Sequence, residues 1–261
     1  MSIDLPVDVA VEEAKIDGNT SVVIIDIETT GLLPTDSIIQ IAAKCEDKEF
    51  SRFMFPTKKM HDDASKATGF TVREGKLYQY ERILTTTPPT EAAEQFLAFL
   101  QQCGEKVLLV GHNIIRFDAP RIMRWLQQLG LLPRFCNYVA GVVDTLPLIS
   151  QGKMKKQELL AKTYLTDDAW EEIVRCAHDA LADCQILNGL LEYFKIGRQN
   201  LVDNSVSIKM MLDKLNNAKN KKTNVVALEC LKSGKISTSM INKIATVGIT
   251  MEKLREVYQK N

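Results

Sequence analysis

The sequence predicts an α/β domain built on a mixed five-stranded sheet with helices on both faces, followed by a small helical appendage. Three observations carry that expectation. A buried-strand run, 21-SVVIIDIETTGL-32, is followed after short gaps by two further β-like runs, which implies an antiparallel meander. Beyond Pro88, helix-like and strand-like stretches alternate, the pattern of a sheet sheathed by helices. From Gly197 onward the pattern changes to short helical pieces, and the charge balance changes sign.

The elements follow in order. Strands are expected at about 22–28, 37–44 and 50–56, and 66-KATGFTVREG-75 reads as a glycine-punctuated loop. Pro88, Pro89 and Thr90 precede EAAEQFLAFLQQC, an amphipathic helix with acid in its first turn. KVLLVGHN is a buried strand, DAPRIMRWLQQLGL a helix closed by Gly130, YVAGVVDTLPLI a strand and KKQELLAKTYL a helix. In the helix over 179–194, Ala180, Cys184, Leu187, Leu191 and Phe194 trace one stripe. Asp183 borders that stripe, and Asp179 is suited to cap the helix. The short helical pieces beyond are joined by NNAKNKKTN, read as a loop. The expected divisions are a flexible segment 1–20, a main domain 21–196 and a basic helical part 197–261.

Composition sets the environment. With 261 residues, 45% hydrophobic and 25% charged, the chain is ordinary for a globular protein. No apolar run approaches the roughly 20 residues that span a bilayer, so no membrane partner is expected. The N-terminus is acidic and lacks the basic region of a secretory signal. Six cysteines without CxxC spacing read as reduced thiols of an intracellular protein, cytoplasmic or nuclear, with the cytoplasm preferred. Residues 195–261 carry 13 Lys plus Arg against 5 Asp plus Glu, a net +8, which leaves −8 on residues 1–194. The basic part is expected to guide a polyanionic strand towards an acidic body that would otherwise repel it.

Four acids occupy unusual places. Asp26 and Glu28 end an apolar strand, and residues two apart point to the same face. Asp118 follows the strand KVLLVGHN at a helix start, and Asp183 lies beside a core-facing stripe. Taken singly, each has a plain reading: a solvated rim for Asp26 and Glu28, a helix cap for Asp118, an ion pair for Asp183. His178 alone reads as an ordinary histidine. Together the four acids lack compensating cations, since only Arg116 is near in sequence. Clustered carboxylates that cannot pair take up protons or metal, and their hard oxygens suit Mg²⁺ or Mn²⁺. Two such ions would activate water and stabilise the leaving oxygen of a phosphodiester.

In order and spacing these segments resemble the DEDDh family of 3′-to-5′ exonucleases, which implies a ribonuclease H-like fold. The motifs are Asp26-Ile27-Glu28 with Thr29-Thr30-Gly31-Leu32, then His112-Asn113 with Phe117-Asp118, then His178 to Asp183. They cover about residues 20–194. Asp179 stands where the related DEDDy group would have tyrosine. The resemblance implies that Asp26, Glu28, Asp118 and Asp183 hold two divalent ions, and that His178 deprotonates the attacking water. It places Thr29, Thr30, Gly31 and Leu32, with Thr68 and Phe70 of ATGF, around the terminal nucleotide, and Asn113 facing the same cleft. His112 and Asp144 are assigned to local hydrogen bonding. The runs PLI and AKTYL and the basic tail more closely resemble the exonuclease-like C-terminal region of the promyelocytic leukaemia protein and its stand-alone relatives. The expected substrate is a nucleic acid with a free 3′ end, single-stranded DNA favoured. RNA, and a non-catalytic interaction module, are the alternatives.

Overall fold

A computed structural model describes residues 15–150 and 155–259. The first 14 residues of the segment expected to be flexible lie outside them. Among the described residues the chain forms two compact units, divided between Ile208 and Lys209.

The larger unit is built on a mixed sheet. Its strands are β1 (Ser21–Thr29), β2 (Ile38–Cys45), β3 (Lys48–Phe53), β7 (Val107–Gly111), β8 (Val139–Asp144) and β9 (Ser205–Ser207), in the order β3-β2-β1-β7-β8-β9. The first three form the expected antiparallel meander; β7 and β8 run parallel to β1. The sheet has a sixth strand that the sequence pattern does not announce. β9 is three residues long, SVS, too short for periodicity to show.

Face alternation in β1 explains where its acids point. Val23, Ile25 and Ile27 are buried, and Ile24 packs on the opposite side into a cluster with Ala42, Leu108, Val110, Cys184 and Leu187. Asp26 and Glu28 are two and four residues beyond Ile24, so they share its face. That face is covered by α6 (Gln157–Tyr164) and α8 (Ala180–Tyr193). The parallel pairing of β1 with β7 stops at Ile24 and Val110, so both acids project past the carboxyl end of the neighbouring strand. Helices α2 (Pro89–Cys103), α3 (Asp118–Gln128) and α4 (Leu132–Tyr138) also belong to this unit, and Phe96 packs between Phe50 of β3 and Phe135 of α4. The remaining helices are α1 (Asp62–Thr68), α5 (Leu146–Ile149), α7 (Asp168–Arg175) and α9 (Arg198–Asp203).

Two expected loops are ordered structure. KATGFTVREG enters a three-stranded sheet of β4 (Phe70–Arg73), β5 (Lys76–Gln79) and β6 (Arg82–Ile83). NNAKNKKTN lies inside the 21-residue helix α10 (Ile208–Leu228). In the smaller unit a 3₁₀ turn (Glu229–Gly234) leads to α11 (Thr238–Thr246) and α12 (Met251–Gln259), around a core of Leu228, Ile241 and Ala245. No described helix is long and apolar enough to cross a membrane.

Candidate active site

The carboxyl ends of β1 and β7 and the start of α8 enclose a cavity of about 620 Å³. Asp26, Glu28, Asp118, Asp183 and His178 all line it, with Asn113 and Leu32. Ligand atoms of Glu28, His178 and Asp183 lie within 4.8 Å of one another. Crevices at the carboxyl ends of parallel strands are where open α/β sheets bind ligands, because loops diverge there.

Each side chain is placed by local structure. Asp118 is buried in the first turn of α3, where the helix N-terminus favours negative charge. Asp183 is fixed through both oxygens: Oδ2 accepts from the His178 backbone N–H at 3.0 Å and Oδ1 from Gln157 Nε2 at 3.1 Å. One turn earlier, Asp179 caps α8 by accepting from the N–H groups of Leu181 and Ala182. His178 has φ of 74° and Asn113 of 62°, left-handed conformations that cost a non-glycine residue energy. Both are held by carboxylates, His178 as above and Asn113 through its N–H to Asp144 Oδ1 at 2.8 Å. His112 binds Thr145 and the Lys155 carbonyl, and Asp144 also accepts from Leu146, so both act locally as expected.

A second cavity of about 510 Å³ adjoins the first, sharing Glu28, Leu32, Ala67, Phe117 and His178. Thr29, Gly31 and Thr68 line it. Gly31 is closely packed: a Cβ there would lie 2.6 Å from Asp36 Oδ2 and 2.9 Å from the His61 ring, so one of those side chains would have to shift. Two expected contact residues do not reach either cavity. Phe70 is fully buried in a core with Ile39, Met60 and Leu77, its ring 6.0 Å from that of Phe53. Thr30 is also fully buried, and its hydroxyl accepts from the Ser37 N–H. Strand alternation in β4 turns Phe70 inward, a consequence hidden while the segment is read as a loop.

The site also uses residues that sequence motifs do not mark. The segment 155–158 lines the cavity; Gln157 grips Asp183, and Glu158 Oε2 stands 3.5 Å from His178 Nε2. Their signal in sequence is only KKQE at a helix start. Arg116 is exposed; buried Arg121 lies near Asp118, and exposed Lys155 and Lys156 line the same cavity. The Arg121 guanidinium lies over the Phe117 ring at 3.7 Å and donates to the Phe117 and Leu32 carbonyls, so it braces the cavity wall.

The electrostatics are those of a cluster compensated only in part. Burial, reinforced by the other carboxylates, pushes Asp26 and Glu28 well above the usual carboxyl range. Burial raises Asp118 to about 7, against the Ile27 N–H and Arg121, and Asp183 to about 6, against the His178 N–H. Such oxygen-rich donors suit a hard divalent cation, which would replace the missing positive charge. A carboxyl with its folded pKa above its unfolded value of about 3.9 binds protons more tightly in the native state. Its stabilisation is complete below about pH 4 and is lost as pH rises through 6 to 7. Thermal melts in EDTA should therefore show the protein a few kcal/mol less stable at pH 8 than at pH 5 from this source. Mn²⁺ should restore more stability at pH 8 than at pH 5; equal restoration at both would exclude the cluster as the metal site.

Comparison with known proteins places these features. The Exuperantia RNAse H-like domain family matches residues 20–166. The chain is 27% identical to the maternal protein exuperantia of Drosophila virilis over 190 residues, 67% of this chain and 39% of that protein. Against the Drosophila melanogaster protein it is 26% identical over 178 residues, 61% and 33%. It thus spans well under half the length of these relatives. Among solved structures, E. coli exonuclease I in a zinc-bound form with single-stranded DNA aligns with a TM-score of 0.56 at 17% identity, covering 82% of this chain and 45% of that one. A complex of the same enzyme with a dA16 oligonucleotide aligns at 0.51 and 17% identity, covering 80% and 46%. At that identity the likeness is one of fold.

Proposed function

This chain belongs to the Exuperantia RNAse H-like domain family, and from the geometry of its site we propose that it is a metal-dependent 3′-to-5′ exonuclease of the DEDDh type. The substrate proposed is a nucleic acid with a free 3′ end, single-stranded DNA in the first place, cleaved to nucleoside 5′-monophosphates. One observation carries the reading: four carboxylates and a histidine converge on one cavity, where burial and mutual repulsion oppose ionisation of the acids. A kinship with the exonuclease-like region of the promyelocytic leukaemia protein is part of the same reading and rests on sequence motifs.

Asp26, Glu28, Asp118 and Asp183 would hold two divalent ions, Mg²⁺ or Mn²⁺. Bound there, such ions polarise the scissile phosphate and acidify the attacking water. His178 accepts the proton of that water, with Glu158 beside its Nε2 to stabilise the imidazolium. Gln157 keeps the Asp183 carboxylate oriented. Thr29, Gly31, Leu32 and Thr68 line the neighbouring cavity, where the terminal nucleoside would sit. The test is direct: 5′-labelled DNA and RNA oligonucleotides are incubated with Mg²⁺ or Mn²⁺, with and without EDTA. Metal-dependent shortening from the 3′ end supports the reading; binding without shortening would favour a non-catalytic module, and preference for RNA an exoribonuclease.

The smaller unit bears on affinity. Lys214 and Lys222 are exposed on α10 and Lys221 is half-buried there. A lysine that neutralises one phosphate of a single strand steepens the fall of log affinity with log salt by about 0.7. Replacing the three lysines by Gln should therefore flatten that slope by up to about 2, measured with Ca²⁺ to block cleavage. An unchanged slope would leave this unit as scaffold.

A further inference from the structure

A groove of about 740 Å³ lies between the turn joining β5 to β6 and helices α7 and α8. Nothing in the reaction above uses it. Tyr80, Arg82 and Arg175 stand around it, and Ile173, Leu181 and Ala182 give it apolar lining.

Tyr80 is 67% exposed yet firmly mounted. Its backbone takes φ of 52°, a conformation unfavourable for a bulky residue. Two hydrogen bonds hold it there: its N–H donates to the Gly69 carbonyl at 2.8 Å, and its own carbonyl accepts from Arg73 Nη2 at 2.8 Å. Gly69 has φ of 73° and lies against the ring, where a Cβ would come within 2.6 Å of Tyr80 Cζ. The chain thus seats an aromatic ring on bare backbone and leaves much of it open to solvent. Strained backbone of this kind persists where the surroundings enforce it, and it concentrates at binding sites.

The groove shares no described lining residue with the two cavities but lies close to the acids: its Asp179 accepts from Gln40 Nε2 at 2.9 Å, and Gln40 stands opposite Glu28 across the β1–β2 pair. Gly69 directly follows Ala67 and Thr68, which line the terminal-nucleoside cavity, and Asp179, in the groove, directly follows His178. Its acids are mostly engaged. Glu81 pairs with Arg73 at 3.4 Å, and Asp179 accepts from α8 and from Gln40. Arg82 is exposed and has no ion pair among the described residues, whereas Glu172 faces the groove as an acid. The net charge is therefore small, and stacking rather than charge has to supply the binding.

We propose that this groove receives the nucleotides that precede the 3′-terminal one, with Tyr80 as the platform on which a base stacks. The inference rests on the exonuclease reading and adds a subsite to it. Stacking on an aromatic ring is tolerant of sequence, as a processive or distributive exonuclease requires. Arg82, two residues along, would meet a phosphate of the same segment.

The probes are a dinucleotide and a DNA decamer carrying 2-aminopurine second or third from its 3′ end, with Ca²⁺ to block cleavage. In the parent protein, affinity should climb from dinucleotide to decamer and 2-aminopurine fluorescence should be quenched. Tyr80→Ala should weaken decamer binding roughly tenfold or more, flatten the climb and relieve the quench, the scale of removing one base stack. Tyr80→Phe keeps the ring and should restore all three, which separates stacking from misfolding. If the parent binds and shortens the decamer while Tyr80→Ala binds it equally well with the quench intact, the subsite is wrong and the exonuclease reading stands. A parent that neither binds nor shortens any oligonucleotide overturns both.

Discussion

Asp26→Asn should cut nuclease turnover by on the order of 10³-fold or more while leaving the metal-free protein as stable as the parent, or more so. The two effects have one cause. Asp26 lies within an acidic cluster where burial and the charges of Asp118, Asp183 and Glu28 oppose its ionisation. Neutralising it removes repulsion that the metal-free cluster bears, and it also removes an oxygen ligand. Metal-assisted charge stabilisation supplies several kcal/mol at the transition state, and each 1.36 kcal/mol is a factor of ten in rate. A thermal melt in EDTA, a melt with Mn²⁺ and a single-turnover assay check the three parts. If Asp26→Asn retained turnover and gained as much from Mn²⁺ as the parent, the carboxylates would not be the metal site.

His178→Ala should cost about 10²–10⁴-fold in turnover, the usual contribution of a positioned acid–base group. The imidazole is suited to that task because its backbone, its Nε2 and its neighbours are all constrained, by Asp183 and by Glu158. The expected signature is an ascending limb in the pH–rate profile that the variant lacks. His178 also lies within 4.8 Å of the Glu28 and Asp183 ligand atoms, which geometrically allows it to bind a metal itself. The Mn²⁺-induced rise in melting temperature separates these roles. A variant that keeps the full rise assigns His178 to proton transfer; one that loses it assigns His178 to coordination.

Both residues are legible in the sequence, for different reasons. Asp26 and Glu28 are visible because strand alternation is a local rule, and an apolar run makes any acid in it conspicuous. His178 stands out only through its spacing to Asp183, which needs helical periodicity to place it at the edge of a buried stripe; the structure brings both to the same cavity. Gln157 and Glu158 are not legible, since polar residues at a helix start usually do no more than face water. The sheet of β4 to β6 escapes sequence reading for a related reason. Its strands are two to four residues long and rich in charge, with Gly75 in one turn, so local pattern suggests a loop. Only the packing of Phe70, Leu77 and Leu84 against Ile39 makes it a sheet. In α10, a run of Asn and Lys hides a helix anchored by Leu228, whose partners Ile241 and Ala245 lie in the next helix.

The wide spacing of the acids along the chain has a consequence for biosynthesis. During translation, β1 and its two carboxylates emerge first, Asp118 follows with α3, and His178 and Asp183 come only at the start of α8. A nascent chain that has reached β8 can already pair the parallel strands, but it has neither the histidine nor the fourth carboxylate. On the proposed function, hydrolytic capacity therefore stays latent until α8 has been made and has docked. A product that stops before α8 would be inert towards the nucleic acids around it, and nuclease activity would serve as a readout of α8 docking.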